Sequence, residues 1–224
     1  TMGDLYGWHR AVDGTWFLGL FVETGRIQGA QKNALRAVAE GFANLEFRLT
    51  TNQNVILANV AEAEKAGVNA LLLEHGVKTE HQASVLHAAA MACPALPTCG
   101  LALAESERML PGLVDRIEKL CAEVGLAGEE IIIRSTGCPN GCARPYMAEI
   151  AFVGKAPGRY QVWLGGNASG TRLNRVWRDV VKEAEVETEL RPVLARYAKE
   201  RRVNERLGDW CERVLFPEVA LKAT

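Results

Sequence analysis

The 224-residue sequence has no apolar run approaching the roughly 18 residues that a membrane-crossing helix needs. It has no excess of charge of either sign: 26 Lys and Arg oppose 27 Asp and Glu, for a formal charge of -1. Nucleic-acid binders and membrane-surface proteins are usually more basic, so neither partner class is expected. No internal repeat and no low-complexity tract is present. No secretory signal opens the chain, so a cytoplasmic, reducing setting is expected. Thr1 precedes Met2, which points to a cut rather than a natural start. Histidine is sparse at four residues: His9, His75, His81 and His87 match no metal-ligand pattern. At 48% hydrophobic and 24% charged, the composition is that of a folded globular chain long enough for one or two domains.

The six cysteines carry more information. Cys121 lies in a helical pattern with Leu113, Ile117, Leu120 and Val124, and Cys211 sits near Trp210, Val214 and Leu215. Both read as small core residues. The other four form two pairs among turn formers, A-C-P-A-L-P-T-C-G with Cys93 and Cys99, and T-G-C-P-N-G-C-A-R-P with Cys138 and Cys142. Gly permits close backbone approach and Pro shapes the turn, so such loops can aim N–H groups at sulfur. Structural zinc sites usually space a cysteine pair two to four residues apart, and the first gap is wider than that. Four thiolates on two loops suit an iron–sulfur cluster, with zinc or unliganded core thiols as the alternatives.

The hydrophobic pattern gives an α+β organisation. Strands are expected at 16–22, 45–50 (half-buried) and 54–60, with helices at 31–42 and 61–74. With a strand before the first helix this makes a β-α-β-β-α unit over residues 1–79. A second, α/β domain over 80–224 would hold the cysteines. Residues 76–90 read as a linking stretch. A helical tract runs from Leu101 to Val124, broken or kinked at Pro111. Strands follow at 130–135, 148–153 and 159–164, then a charged amphipathic helix at 185–202. The second cysteine pair thus lies at the C-terminal end of a strand, a common place for ligand sites in α/β structures.

T-G-C-P-N-G-C-A-R-P-Y-M-A-E, followed by V-G-K-A-P-G-R-Y and L-G-G-N, closely resembles the siroheme and iron–sulfur family of sulfite and nitrite reductases. M-A-C-P-A-L-P-T-C-G-L-A-L-A-E-S-E-R and F-R-L-T-T-N-Q-N agree with it, the former looking more like the sulfite enzymes. The resemblance runs from about Gly7 to Pro217. It implies a ferredoxin-like half-domain followed by a siroheme and 4Fe-4S domain, and reduction of sulfite to sulfide. It implies cluster ligation by Cys93, Cys99, Cys138 and Cys142, with Cys142 also bound to the siroheme iron. Asn140, Asn52 and Gln53 match residues on the siroheme side. Siroheme carries many carboxylates, so Arg48, Arg144, Lys155 and Arg159 are candidate partners.

Family members are considerably longer, and the match covers only their second half. The expected partners are therefore the N-terminal half of the same reductase, sulfite, and an electron donor that is either an NADPH-dependent flavoprotein or ferredoxin. Nitrite in place of sulfite, a cluster-bearing electron-transfer or sensor module without siroheme, and a zinc-stabilised interaction domain are the competing readings.

Overall fold

The computed structural model describes residues 3–217. The chain divides into two compact units, Gly3–Ala83 and the residues from Ser84 onward, each with its own core.

The first unit runs β1 (Gly7–Arg10), β2 (Trp16–Leu20), α1 (Gly29–Gly41), β3 (Glu46–Leu49), β4 (Val55–Val60) and α2 (Lys65–Glu74). Its antiparallel sheet has the order β1-β2-β4-β3. It holds one strand more than the expected order, because β1 is only four residues long and pairs back on β2 through a short turn. Alternation along the central strands sends Leu18, Leu20, Val55 and Leu57 to one face, where Ala34, Leu35, Val38, Val68 and Leu72 cover them. The expectation of a half-buried strand at 45–50 fails: Glu46–Leu49 is exposed at all four positions. Alternation alone does not bury a strand, and β3 is at the sheet edge, where only β4 pairs with it.

The second unit contains α3 (Val85–Ala89), β5 (Met91–Ala92), α4 (Leu110–Glu123), β6 (Ile133–Thr136), β7 (Ile150–Ala156), β8 (Arg159–Leu164), β9 (Arg175–Lys182), α5 (Val186–Glu200) and α6 (Leu207–Val214). The five strands are ordered β5-β6-β7-β8-β9; β5, β6 and β7 are parallel and the remainder antiparallel. The core joins Leu113, Ile117, Leu120 and Cys121 of α4 to Ile133, Ile150, Phe152, Val162 and Leu194. Burial pushes the Cys121 thiol up to about 11 and the Cys211 thiol higher still, so both are inert core groups, as expected.

The helical tract at 101–124 needs correction. Only Leu110–Glu123 is helix, and Pro111 opens it rather than kinking it. Proline is compatible with a first helical turn because the N–H it lacks has no intrahelical partner there. Residues 101–109 are instead turns that reach back to the second cysteine loop. The stretch at 76–90 contains α3, capped by the Ser84 side chain on the His87 N–H. Strand β9 and helix α6 had no clear sequence signal: half of β9 is charged and most of it is exposed, and α6 is only eight residues long.

Candidate metal centre

Both cysteine pairs sit just beyond the C-terminal ends of neighbouring parallel strands. Met91 and Ala92 of β5 pair with Arg134 and Ser135 of β6, and the Cys93 N–H continues the ladder to the Ser135 carbonyl at 3.2 Å. Cys93 therefore leaves β5 as Gly137 and Cys138 leave β6.

Gly137 fastens the two loops together. Its N–H donates to Cys93 Sγ at 3.2 Å, and its carbonyl accepts from the Leu103 and Ala104 N–H groups at 2.8 and 3.0 Å. A Cβ at this position would lie 2.6 Å from Ala95 Cβ and 2.7 Å from the Ala104 oxygen, so only glycine allows the approach. The Thr136 hydroxyl lies 3.5 Å from the same sulfur and 3.3 Å from the Cys138 carbonyl, and its one proton can serve either acceptor. The Gly137 N–H is thus a backbone donor aimed at the Cys93 sulfur.

The first loop is closed by the Cys99 N–H on the Ala95 carbonyl at 2.7 Å, with Ala95 held at φ 49° and a cis Leu96–Pro97 peptide. Arg108 donates to the Leu96 carbonyl at 3.0 Å. The second loop turns through Gly141 at φ 70° and Arg144 at φ 53°. Tyr146 donates to the Pro139 carbonyl at 2.8 Å, and the buried Asn174 amide donates to the Pro145 and Ala148 carbonyls.

All four cysteines are free thiols. Cys93 and Cys138 are buried, Cys99 is half-buried and Cys142 is exposed. Among the described residues, no three Cys, His, Asp or Glu side chains already meet in an arrangement that would hold a metal ion. The structure thus joins the two loops through Gly137 without drawing all four sulfurs to one point. The donor set nevertheless suits a cubane cluster: every candidate ligand is sulfur, and amide hydrogen bonds to sulfur are part of how such clusters are tuned. A cubane takes one thiolate per iron, which spreads its ligands more widely than a single ion does.

The other candidates are distributed over both units. Asn140 is exposed on the second loop. Arg144 donates to Met91 Sδ at 3.5 Å and its carbonyl accepts from Arg134. Lys155 pairs with Asp179 in an exposed contact, and Arg159 is exposed on β8. In the first unit, Arg48 pairs with Glu46 at 2.6 Å on the edge strand. Asn52 donates to Asp4 at 3.1 Å, and Gln53 adopts φ 68° in the turn. Sequence reasoning missed Asn54, the buried hub of that turn. It accepts from the Val22 N–H at 2.8 Å and donates to Asp4, Tyr6 and the Asn52 carbonyl. It also missed Thr136 and Arg134, and it singled out Gly137 only as a turn-forming glycine that permits close approach, not as the residue joining the two loops. The lone signal for them was a glycine directly before Cys138.

Residues 9–88 match the nitrite/sulfite reductase ferredoxin-like half domain, and residues 88–220 match the nitrite and sulphite reductase 4Fe-4S domain. The hemoprotein beta-component of an NADPH sulfite reductase from Paenibacillus sp. (strain JDR-2) is 44% identical, over 99% of this chain and 39% of that protein. A ferredoxin sulfite reductase from Synechococcus elongatus is 48% identical, over 95% of this chain and 35% of that protein. The NirA protein of Mycobacterium tuberculosis has a similar structure, with a TM-score of 0.73 and 26% identity over 94% of this chain and 40% of that one. The chain therefore spans little more than a third of the length of these curated relatives. With both family models matching in order and nearly end to end, and with the expected thiol loops joined at neighbouring strand ends, the chain belongs to the nitrite and sulfite reductase family.

Proposed function

We propose that this chain forms the C-terminal, cofactor-bearing half of a sulfite reductase hemoprotein that reduces sulfite to sulfide. The observation that carries this reading is the Gly137 clasp, which brings a loop bearing Cys93 and Cys99 against one bearing Cys138 and Cys142. In this reading the four thiolates hold a 4Fe-4S cluster. Cys142, the exposed one of the four, would also hold the siroheme, as the family resemblance implies. Siroheme and cluster together would relay electrons from the external donor and provide the iron to which sulfite binds.

The protein's own residues keep the thiolates in place. The Gly137 N–H and the Thr136 hydroxyl stabilise charge on Cys93, and the packed Ala95, Ala143 and Met91 exclude water beside it. Asn140 and Arg144 of the second loop, and Arg48, Asn52 and Gln53 of the first unit, are proposed siroheme contacts, on the strength of the family resemblance. Sulfite rather than nitrite is favoured by the names of the relatives at 44% and 48% identity. Those same names support an NADPH-linked or a ferredoxin-type electron source. The reading also makes this chain poorly active without the N-terminal half.

Anaerobic purification of the full-length protein, with absorption spectra and iron and sulfide analysis, tests the cofactor set. Cys142→Ser should abolish sulfite reduction and the spectral coupling of cluster and haem. Unchanged siroheme absorption and turnover in that variant would refute the bridging role. Zinc without iron in the wild-type protein would refute the whole reading.

A further inference from the structure

Arg134 has an unusual setting. It is a central residue of β6 and only 8% exposed. Its Nη1 donates to the Arg144 carbonyl at 3.1 Å, and its buried Nε has no acceptor among the described residues. No Asp or Glu among the described residues pairs with it; the charged group acting on it is another cation, Arg144. A buried cation without an anion is costly, so the folded protein needs a negative charge nearby.

Strand geometry shows where that charge would be. Arg134 and Thr136 are two residues apart on β6 and share a face of the sheet. The Thr136 hydroxyl on that face lies 3.5 Å from Cys93 Sγ. Across the parallel ladder Arg134 pairs with Met91, which packs with Cys93, Ala95 and Ala143. Arg144 donates to Met91 Sδ from the second cysteine loop.

We propose that Arg134 is the internal counter-charge of the iron–sulfur cluster, a cation built into β6 that offsets the thiolate charge and makes the cluster easier to reduce. This rests on the cluster reading above. A cubane with four thiolates is anionic, and reduction adds an electron to it. A fixed positive charge in a water-poor site therefore favours the reduced state. Burial, and then the Arg144 charge beside it, pull the Arg134 guanidinium down to about 10.

The test is a redox titration of the cluster in the full-length holoenzyme, with iron, sulfide and siroheme quantified. Arg134→Gln should leave the cluster in place and shift its midpoint potential to a more negative value, while Arg134→Lys stays close to wild type. A fully loaded Arg134→Gln protein with an unmoved potential would overturn the proposal. So would loss of siroheme with an unmoved potential, which would assign Arg134 to a tetrapyrrole carboxylate. Should Arg134→Gln lose the cluster, Arg134→Lys decides. A loaded lysine variant at wild-type potential supports the charge; a folded lysine variant without cluster shows that guanidinium shape matters instead, and overturns it. Failure of the wild-type protein to hold a cluster at all is a separate result, which would sink the reading of the cysteines themselves.

Discussion

At the scale of single residues, cysteine spacing was readable because ligand chemistry is written in residue type. The groups that support the cysteines were not. Thr136 and Gly137 act through a hydroxyl and a backbone N–H, and these acquire meaning only once β5 lies beside β6. Gly154 shows the same limit: a Cβ there would come 2.3 Å from the Gly137 oxygen, a constraint between a residue of β7 and one in the loop after β6. Gly137→Ala is expected to destabilise the second unit by about 1–3 kcal/mol through overpacking. It should also lower cluster occupancy on reconstitution, because the Cys93 loop can no longer sit against the Cys138 loop. Iron and sulfide content beside a denaturant titration checks both. A variant with full occupancy and unchanged midpoint would show that the clasp is dispensable.

At the scale of elements, long amphipathic segments were legible and short or polar ones were not. Helix α4 presents Leu113, Ile117, Leu120 and Cys121 on one face, so periodicity revealed it, although its start came later than expected. Residues 101–109 have similar composition but form turns, since Leu103 and Ala104 give their N–H groups to Gly137 instead of to a helix. The connection between α5 and α6 depends on Glu205. Arg213 donates to it through Nε and Nη2 at 2.7 Å each, the Arg202 N–H donates at 2.8 Å, and Tyr197 donates to its carbonyl. The Arg213 bonds foremost, with the Arg202 N–H, pull the Glu205 carboxyl down to about 2. A depressed carboxyl contributes its full stabilisation above its ordinary value near 4.5, and that contribution fades as pH falls toward 2. Wild-type stability should therefore drop more steeply than that of Glu205→Gln over this window. Urea midpoints measured across it decide the matter; parallel curves would remove Glu205 from the acid response.

At the scale of the whole molecule, two units carry separate cores, one centred on Leu18 and Leu57, the other on Ile117, Ile133 and Phe152. Separate cores predict two cooperative transitions in the chain. Leu57→Ala and Ile117→Ala each delete a fully buried side chain and should each cost about 2–5 kcal/mol. The first should move one transition and the second the other, seen by calorimetry. A single transition displaced equally by both variants would show that the cores unfold as one. Among the described residues, no helix is long and apolar enough to cross a membrane, in keeping with the absence of long apolar runs.

The sequence by itself determined the α+β class, the pairing of the thiol loops as a candidate site and the inert character of Cys121 and Cys211. Each of these depends on residue type and local spacing, which the chain carries before it folds. Only the tertiary structure decided that β3 is an exposed edge, that Asn54 anchors its turn, that Gly137 clasps the two loops and that Arg134 is buried with no acid paired to it among the described residues. These depend on which strands become neighbours. Burial and hydrogen bonding between residues more than 40 positions apart, such as Cys93 and Gly137, come into being only when long-range pairing brings the segments together.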